Sequence, residues 1–228
     1  MVYLAMTAAE MQNSGTLPEK IAWMACHFSP YGTGLTNIPA SLPPGSLLIL
    51  NDRTPVCGHD PVRVADMLHE SVQKLQCSGI LLDFQRPGCQ QTEAITSRIL
   101  TLPCPVCVSE PYAKNRDCPI FLPPIPLLQT VEEYLQPWQG REIWLELALD
   151  GLELVITEGG SQCKPSAPGD EPQCNHIDPD LFCHYRMEFD PKHARFSLKR
   201  AKEDLQTIQK HSEKFGVTHA VGLWQELK

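Results

Sequence analysis

Short and almost uninterrupted apolar runs recur along this chain, and they limit its fold more than any other feature. The runs at Val2–Met6 (VYLAM), Ile21–Phe28 (IAWMACHF) and residues 79–84 (GILLDF) show little alternation between apolar and polar positions. Strands that are apolar on both sides are typical of parallel sheets whose two faces are covered. The predicted strands cover residues 2–6, 21–28, 46–51, 79–84, 106–109, 119–122, 141–149, 152–157, 182–189 and 218–224.

Amphipathic segments and turn residues separate these strands. Residues 60–76 predict a helix with Pro61 at its first position, and residues 195–215 predict another that ends before Gly216. The Asp-Gly pair at 150–151 lies between two apolar runs and predicts a β-hairpin. Strands followed by helices indicate a parallel α/β sheet.

The fold class predicted from this order is α/β, a small and irregular (β/α)8 TIM barrel with a late β-hairpin. Such a barrel needs roughly 200 residues or more, and this chain has 228. The alternative is an open doubly wound parallel sheet. Residues 1–228 are predicted to form a single domain, within which the polar, Gly- and Pro-rich segment 159–180 is predicted to be a flexible loop.

Composition and charge argue against several classes of partner. A net charge of −8 disfavours nucleic acid, which is bound through clustered Lys and Arg. No apolar run is long enough to span a bilayer, and the first residues lack the basic region of a signal peptide, so we expect a cytoplasmic protein. No strand is followed by a nucleotide-binding glycine motif, and no cofactor is predicted.

Polar side chains follow many of the predicted strands, where a (β/α)8 barrel builds its active site. Carboxylates, amides and aromatic rings that meet on one rim are suited to a sugar, which is held by hydrogen bonds and by stacking. The candidates are His27, Ser29, Asn51, Asp52, Asp83, Gln85, Glu110, Tyr112, Glu146, Glu188, Trp224, Gln225 and Glu226.

Two patches of the sequence resemble glycoside hydrolase family 18, the chitinase-like barrels. Residues 78–88 (SGILLDFQRPG) resemble the signature of the family's fourth strand, in which Asp83 matches the last aspartate, Phe84 the aromatic and Pro87 the proline. The C-terminal GLWQEL resembles the last strand of the family, whose tryptophan forms the floor of the sugar site, and this position is Trp224. The resemblance implies a glycan or a small polar molecule as ligand.

The departures from this pattern concern the catalytic positions. Ser78 and Leu81 occupy the family's first two acidic positions in this chain. Gln85 occupies the position of the family's general acid, which is a glutamate. In the family, the glutamate protonates the leaving oxygen while an acetamide of the substrate attacks the anomeric carbon. A glutamine cannot supply that proton. The resemblance therefore implies a divergent, non-catalytic, sugar-binding barrel whose site uses Asp83, Gln85, Tyr112 and Trp224.

Two alternatives retain catalysis. In the first, the chain is a glycoside hydrolase in which Glu110 and Glu188 are the two catalytic carboxylates, with Glu146 as a substitute for the second. In the second it is a metal-assisted hydrolase, because His and carboxylate side chains suit zinc or manganese. The residues for that site are His27, Asp52, His59 and Asp60, although Asp60 is also the predicted N-cap of the following helix.

Overall fold

The structure, a computed structural model, describes residues 1–56, 58–166 and 174–227. The chain divides into two compact units. The barrel unit comprises residues 1–122, 141–146 and the chain from 218 onward, and the sheet unit comprises residues 123–140 and 147–217. That residues 1–228 form a single domain stays a prediction.

The described residues contain fourteen strands and seven α-helices. The strands are β1 (Val2–Met6), β2 (Ile21–Phe28), β3 (Leu35–Thr36), β4 (Leu47–Asn51), β5 (Gly79–Asp83), β6 (Val106–Ser109), β7 (Ile120–Leu122), β8 (Ile143–Leu147), β9 (Gly151–Thr157), β10 (Gly160–Pro165), β11 (His176–Asp178), β12 (Cys183–Phe189), β13 (His193–Lys199) and β14 (Val217–Leu223). The helices are α1 (Ala8–Asn13), α2 (Pro61–Leu75), α3 (Gln90–Ile99), α4 (Glu110–Ala113), α5 (Val131–Leu135), α6 (Lys202–Ser212) and α7 (Trp224–Leu227).

Eight parallel strands close into a barrel, which confirms the predicted fold class. Their order is β1-β14-β8-β7-β6-β5-β4-β2, and β1 pairs with β2 to close the circle. The open doubly wound sheet is therefore wrong, because an open sheet would leave β1 and β2 unpaired with each other. The short strand β3 pairs antiparallel with β2.

The barrel interior is filled by side chains that alternate along each strand. In β4 and β5, Leu47, Ile49 and Leu81 belong to the interior cluster. Ile80 and Leu82, on either side of Leu81 in β5, are also fully buried but do not belong to that cluster. Both faces of these strands are thus covered, and this explains why the apolar runs are almost uninterrupted.

Two helices of the barrel unit, α1 and α2, begin at capping residues. Asp60 caps α2 by accepting a hydrogen bond of 2.9 Å from the backbone N–H of Val62, and Pro61 is the first helical residue. At α1, Thr7 and Glu10 form a reciprocal capping box. These contacts satisfy backbone N–H groups that a helix leaves without a partner at its start.

Gly79 lies where two barrel strands approach too closely for a side chain. A Cβ atom added to Gly79 would lie 2.8 Å from the backbone carbonyl oxygen of Pro105, which cannot move aside easily. We expect Gly79→Ala to lower the free energy of unfolding by about 1–3 kcal/mol, because overpacking displaces the backbone. Urea denaturation measures this loss. Gly15→Ala is the control, since nothing lies within 4 Å of its added Cβ; an equal loss in both variants would contradict the prediction.

The sheet unit contains a five-stranded antiparallel sheet in the order β10-β9-β13-β12-β11. Its small core contains Leu127, Cys183 and Leu198. The strand predicted over residues 182–189 is present as β12, and it pairs antiparallel with β11 and β13. The late hairpin is present, but it joins β9 and β10.

The Asp150-Gly151 pair does not form the predicted hairpin turn. Gly151 is the first residue of β9, and its φ is not in the left-handed region. Glycine is needed at this position because an added Cβ would lie 2.9 Å from Cβ of Ser166. The hairpin turn contains Glu158 and Gly159 instead, between the paired residues Thr157 and Gly160.

One other prediction of secondary structure needs correction. The helix predicted over 195–215 is wrong in its first part, where β13 pairs with both β9 and β12, and α6 begins only at Lys202. Alternation of Ala194, Phe196 and Leu198 fits a strand once neighbours are present to pair with it. Within the segment 159–180, β10 and β11 are strands, and residues 167–173 lie outside the described residues. That this segment is a flexible loop stays a prediction.

Candidate functional site

A cavity of about 340 Å³ opens at the carboxyl ends of the barrel strands. Apolar side chains from the strands, among them Met24, Leu81 and Phe121, line its inner part. Its polar lining residues are Asn51, Asp52, Arg53, Asp83, Gln85, Arg86 and Glu146. An apolar pocket with a few convergent polar groups at this end of a barrel is the expected place for a ligand.

Asp83 and Gln85, two of the site residues predicted from the sequence, both line this cavity. Asp83 is the last residue of β5 and is in register with Asn51 at the end of β4. The side-chain amide of Gln85 donates a hydrogen bond from Nε2 to Oδ1 of Asp83. Asp83 is half-buried and Gln85 is exposed, so both side chains can meet a molecule that enters the cavity.

Burial raises the pKa of the Asp83 carboxyl above its ordinary value. The hydrogen bond from Gln85 lowers this pKa, while the negative charge of Asp52 adds to the increase. A carboxyl group in this setting takes up a proton at a higher pH than an exposed aspartate does.

Asp52 holds the loop that carries Gln85. This carboxylate is buried, and its two oxygens accept hydrogen bonds from the backbone N–H groups of Gln85 at 3.1 Å and Arg86 at 2.8 Å. Tyr112 supports the same loop, because its hydroxyl donates to the carbonyl oxygen of Arg86 at 2.7 Å. Tyr112 is buried and does not line the cavity, so its direct contact with a ligand stays a prediction.

Phe84, between the two polar residues, anchors the strand end. Its backbone N–H donates to the hydroxyl of Ser109 at 3.1 Å, and that hydroxyl donates to the Phe84 carbonyl at 2.8 Å. The Phe84 ring packs edge-on against Tyr112. Because Phe84 is fully buried, the neighbouring Asp83 has a fixed backbone position.

Trp224 is the first residue of α7. The tryptophan in the interior cluster of the barrel is Trp144. Trp224 is partly exposed and does not line the cavity, so its role in binding stays a prediction. Trp144, on β8, is buried in the barrel interior with its ring centroid 4.4 Å from that of His219. Its Nε1 donates to Oε1 of Glu142 at 3.0 Å. Sequence reasoning missed Trp144 because it lies inside an ordinary apolar run.

The two glutamates of the hydrolase alternative do not lie in this cavity. Glu110 begins α4 and forms an ion pair of 3.2 Å with Lys114. Glu188 is on β12 of the sheet unit and forms an ion pair of 2.6 Å with Arg186. Glu146, the substitute for the second glutamate, does line the cavity from β8. A catalytic role for Glu110 and Glu188 stays a prediction.

The side chains considered for a metal site have other partners. His59 is buried with Nδ1 3.0 Å from the Val56 carbonyl oxygen, and Nδ1 of His27 lies 2.9 Å from the carbonyl oxygen of Ala25. Asp60 caps α2. In residues 1–56, 58–166 and 174–227, no three His, Cys, Asp or Glu side chains are grouped so that they could hold a metal ion.

Comparison with known proteins identifies the fold. A chitinase from Chromobacterium violaceum superposes on all of this chain and on 95% of its own, with a TM-score of 0.61 and 9% identity. The fold is that of a chitinase-like barrel. A mutant family 18 chitinase from Cycas revoluta, solved in complex with (GlcNAc)4, matches 98% of this chain and 94% of its own, with a TM-score of 0.57 and 9% identity.

A chitinase-like agglutinin from Robinia pseudoacacia has the same fold, with a TM-score of 0.53 and 10% identity over 99% of this chain and 95% of its own. No protein-family model matches the sequence, and no curated protein matches it significantly. The likeness at these identities therefore concerns the fold. None of the described helices has the length and apolar character needed to cross a membrane.

Proposed function

We propose that this chitinase-like barrel binds a carbohydrate at the carboxyl ends of its strands and does not hydrolyse it by the mechanism of the family. The observation that carries the proposal is the hydrogen-bonded pair of Asp83 and Gln85 in the cavity. These residues occupy the positions at which the resemblance to family 18 has an aspartate and the general acid. A glutamine there can donate to or accept from a sugar oxygen, but it cannot release a proton.

The polar groups of the cavity suit the recognition of a sugar. The Asp83 carboxylate can accept a hydrogen bond from a hydroxyl or an acetamide N–H of the sugar. Apolar side chains such as Met24 and Phe121 can cover the non-polar face of a sugar ring. The Cycas revoluta complex contains (GlcNAc)4, so N-acetylglucosamine oligomers are the first ligands to test.

The test is a titration of (GlcNAc)4 by calorimetry, preceded by a glycan array. We expect wild type to bind without cleavage and Asp83→Asn to bind about tenfold more weakly, because hydrogen bonds to charged groups contribute about 1.5–3 kcal/mol. The exposed Asp66 on α2 provides the control variant Asp66→Asn, which should bind like wild type. Absence of binding to every glycan on the array would refute the proposal.

The affinity should also depend on pH through Asp83. Its raised pKa means that the carboxyl is protonated as the pH falls through a value above the ordinary one of 3.8. Protonation removes a hydrogen-bond acceptor, so the association constant should fall as the pH is lowered through that range. In Asp83→Asn this dependence should disappear, and its persistence would show that another group is responsible.

A second candidate is glycoside hydrolysis by a different pair of carboxylates. The observation that favours it is the presence of Glu146 in the cavity that contains Asp83, whose raised pKa suits a general acid. Chromatography of (GlcNAc)4 after incubation with the protein distinguishes the two functions. Release of shorter oligomers by wild type, and its loss in both Glu146→Gln and Asp83→Asn, would establish the hydrolase instead.

A further inference from the structure

Two arginines, Arg53 and Arg86, line the cavity beside its carboxylates. Both side chains are exposed, and Nη2 of Arg86 donates to the backbone carbonyl of Arg53 at 2.6 Å, so the Arg86 guanidinium lies against the loop that follows β4. Both backbones are held in place. The N–H of Arg53 donates to Oδ1 of Asn51 at 3.2 Å, and the N–H of Arg86 donates to Asp52.

Neither guanidinium has a carboxylate partner in the part of the chain that the structure describes. Three other arginines do: Arg116 pairs with Glu93, Arg186 with Glu188 and Arg195 with Glu153. Two of the three acids in the cavity have other partners, since Asp52 accepts from backbone N–H groups and Asp83 accepts from Gln85. Among the described residues, neither arginine therefore forms an ion pair, although the carboxylates of Asp52, Asp83 and Glu146 line the same cavity.

We propose that the ligand of this cavity is an acidic oligosaccharide, and that Arg53 and Arg86 bind its carboxylate. This inference rests on the proposed sugar-binding function and names the class of sugar. A guanidinium forms two parallel, charge-assisted hydrogen bonds with a carboxylate, which a neutral hydroxyl cannot match. The hydrogen-bonded pair of Asp83 and Gln85 would then contact the uncharged hydroxyl and acetamide groups.

The test compares two ligands that differ in the carboxylate alone. One is the tetrasaccharide of alternating glucuronic acid and N-acetylglucosamine; the other is the same molecule after reduction of its carboxylates to alcohols. We expect wild type to bind the acidic form at least about tenfold more tightly, since hydrogen bonds between charged groups are the strong ones. This preference should shrink as the salt concentration rises.

Substitutions of Arg53 and Arg86 then test whether these two residues cause the preference for the acidic tetrasaccharide. Arg53→Gln and Arg86→Gln should each reduce it, and the double variant should bind both tetrasaccharides equally. Arg86→Lys, which retains the charge, should keep part of the preference. The control is Arg63→Gln, because Arg63 is an exposed arginine on α2 that does not line the cavity. Thermal unfolding checks that each variant is folded.

The possible failures are distinguishable. If wild type binds the neutral sugars, including (GlcNAc)4, but shows no preference for the carboxylate, this inference is wrong while the proposed function stands. An equal loss of preference in Arg63→Gln would also overturn it, because general charge attraction would then be the cause. If no sugar binds in either form, both the inference and the proposed function fail.

Discussion

Changing Gln85 to Glu is expected to give this barrel hydrolytic activity toward N-acetylglucosamine oligomers. Gln85 lies at the mouth of the cavity, is exposed, and is already hydrogen-bonded to Asp83. Glutamate has nearly the same shape and can donate a proton to the leaving oxygen. A positioned general acid contributes about 10²–10⁴-fold to a rate, so an increase of that order over wild type should be seen.

The measurement is the release of shorter oligomers from (GlcNAc)4, followed by chromatography. Gln90→Glu is the matched control, because it makes the same chemical change at an exposed position at the start of α3. Adding Asp83→Asn to Gln85→Glu should remove the activity again, since the acetamide loses the carboxylate that orients it. If Gln85→Glu binds (GlcNAc)4 as wild type does and still releases no product, the match to the catalytic position of the family is wrong.

Replacing Trp144 by Ala is expected to cause the largest loss of stability. This indole is 2% exposed, lies in the core of the barrel, and packs against His219. Truncation of a buried tryptophan typically costs about 3–5 kcal/mol, because transfer free energy is lost and a cavity remains. The variant also removes the hydrogen bond from Nε1 to Glu142.

Denaturation by urea, followed by circular dichroism, measures this loss. Trp138→Ala is the control, since Trp138 is only partly buried and lies in a 3₁₀ helix (Gln136–Trp138). We expect the control to lose clearly less stability than Trp144→Ala. Equal losses of unfolding free energy in the two variants would mean that neighbouring side chains repack into the space left by the Trp144 indole.

The carboxyl ends of the strands could be located from sequence, but the composition of the site could not. Asp83 and Gln85 lie at the end of a recognisable strand, and both line the cavity. Arg53 and Arg86 carry no local signal that separates them from other surface charges, and Glu146 was one of several candidate carboxylates. They lie in one cavity only because barrel closure brings the ends of distant strands together.

The sequence by itself determined the parallel strands and several helix boundaries. Apolar runs such as 79–84 predicted strands that are covered on both faces. Asp60 and Pro61 predicted the start of α2. Both signals depend only on residues that are close to each other in the chain. Only the tertiary structure decided which strands are antiparallel. Residues 193–199 form β13 because β9 and β12 supply its hydrogen-bond partners, and no local pattern can report a partner that is distant in the chain.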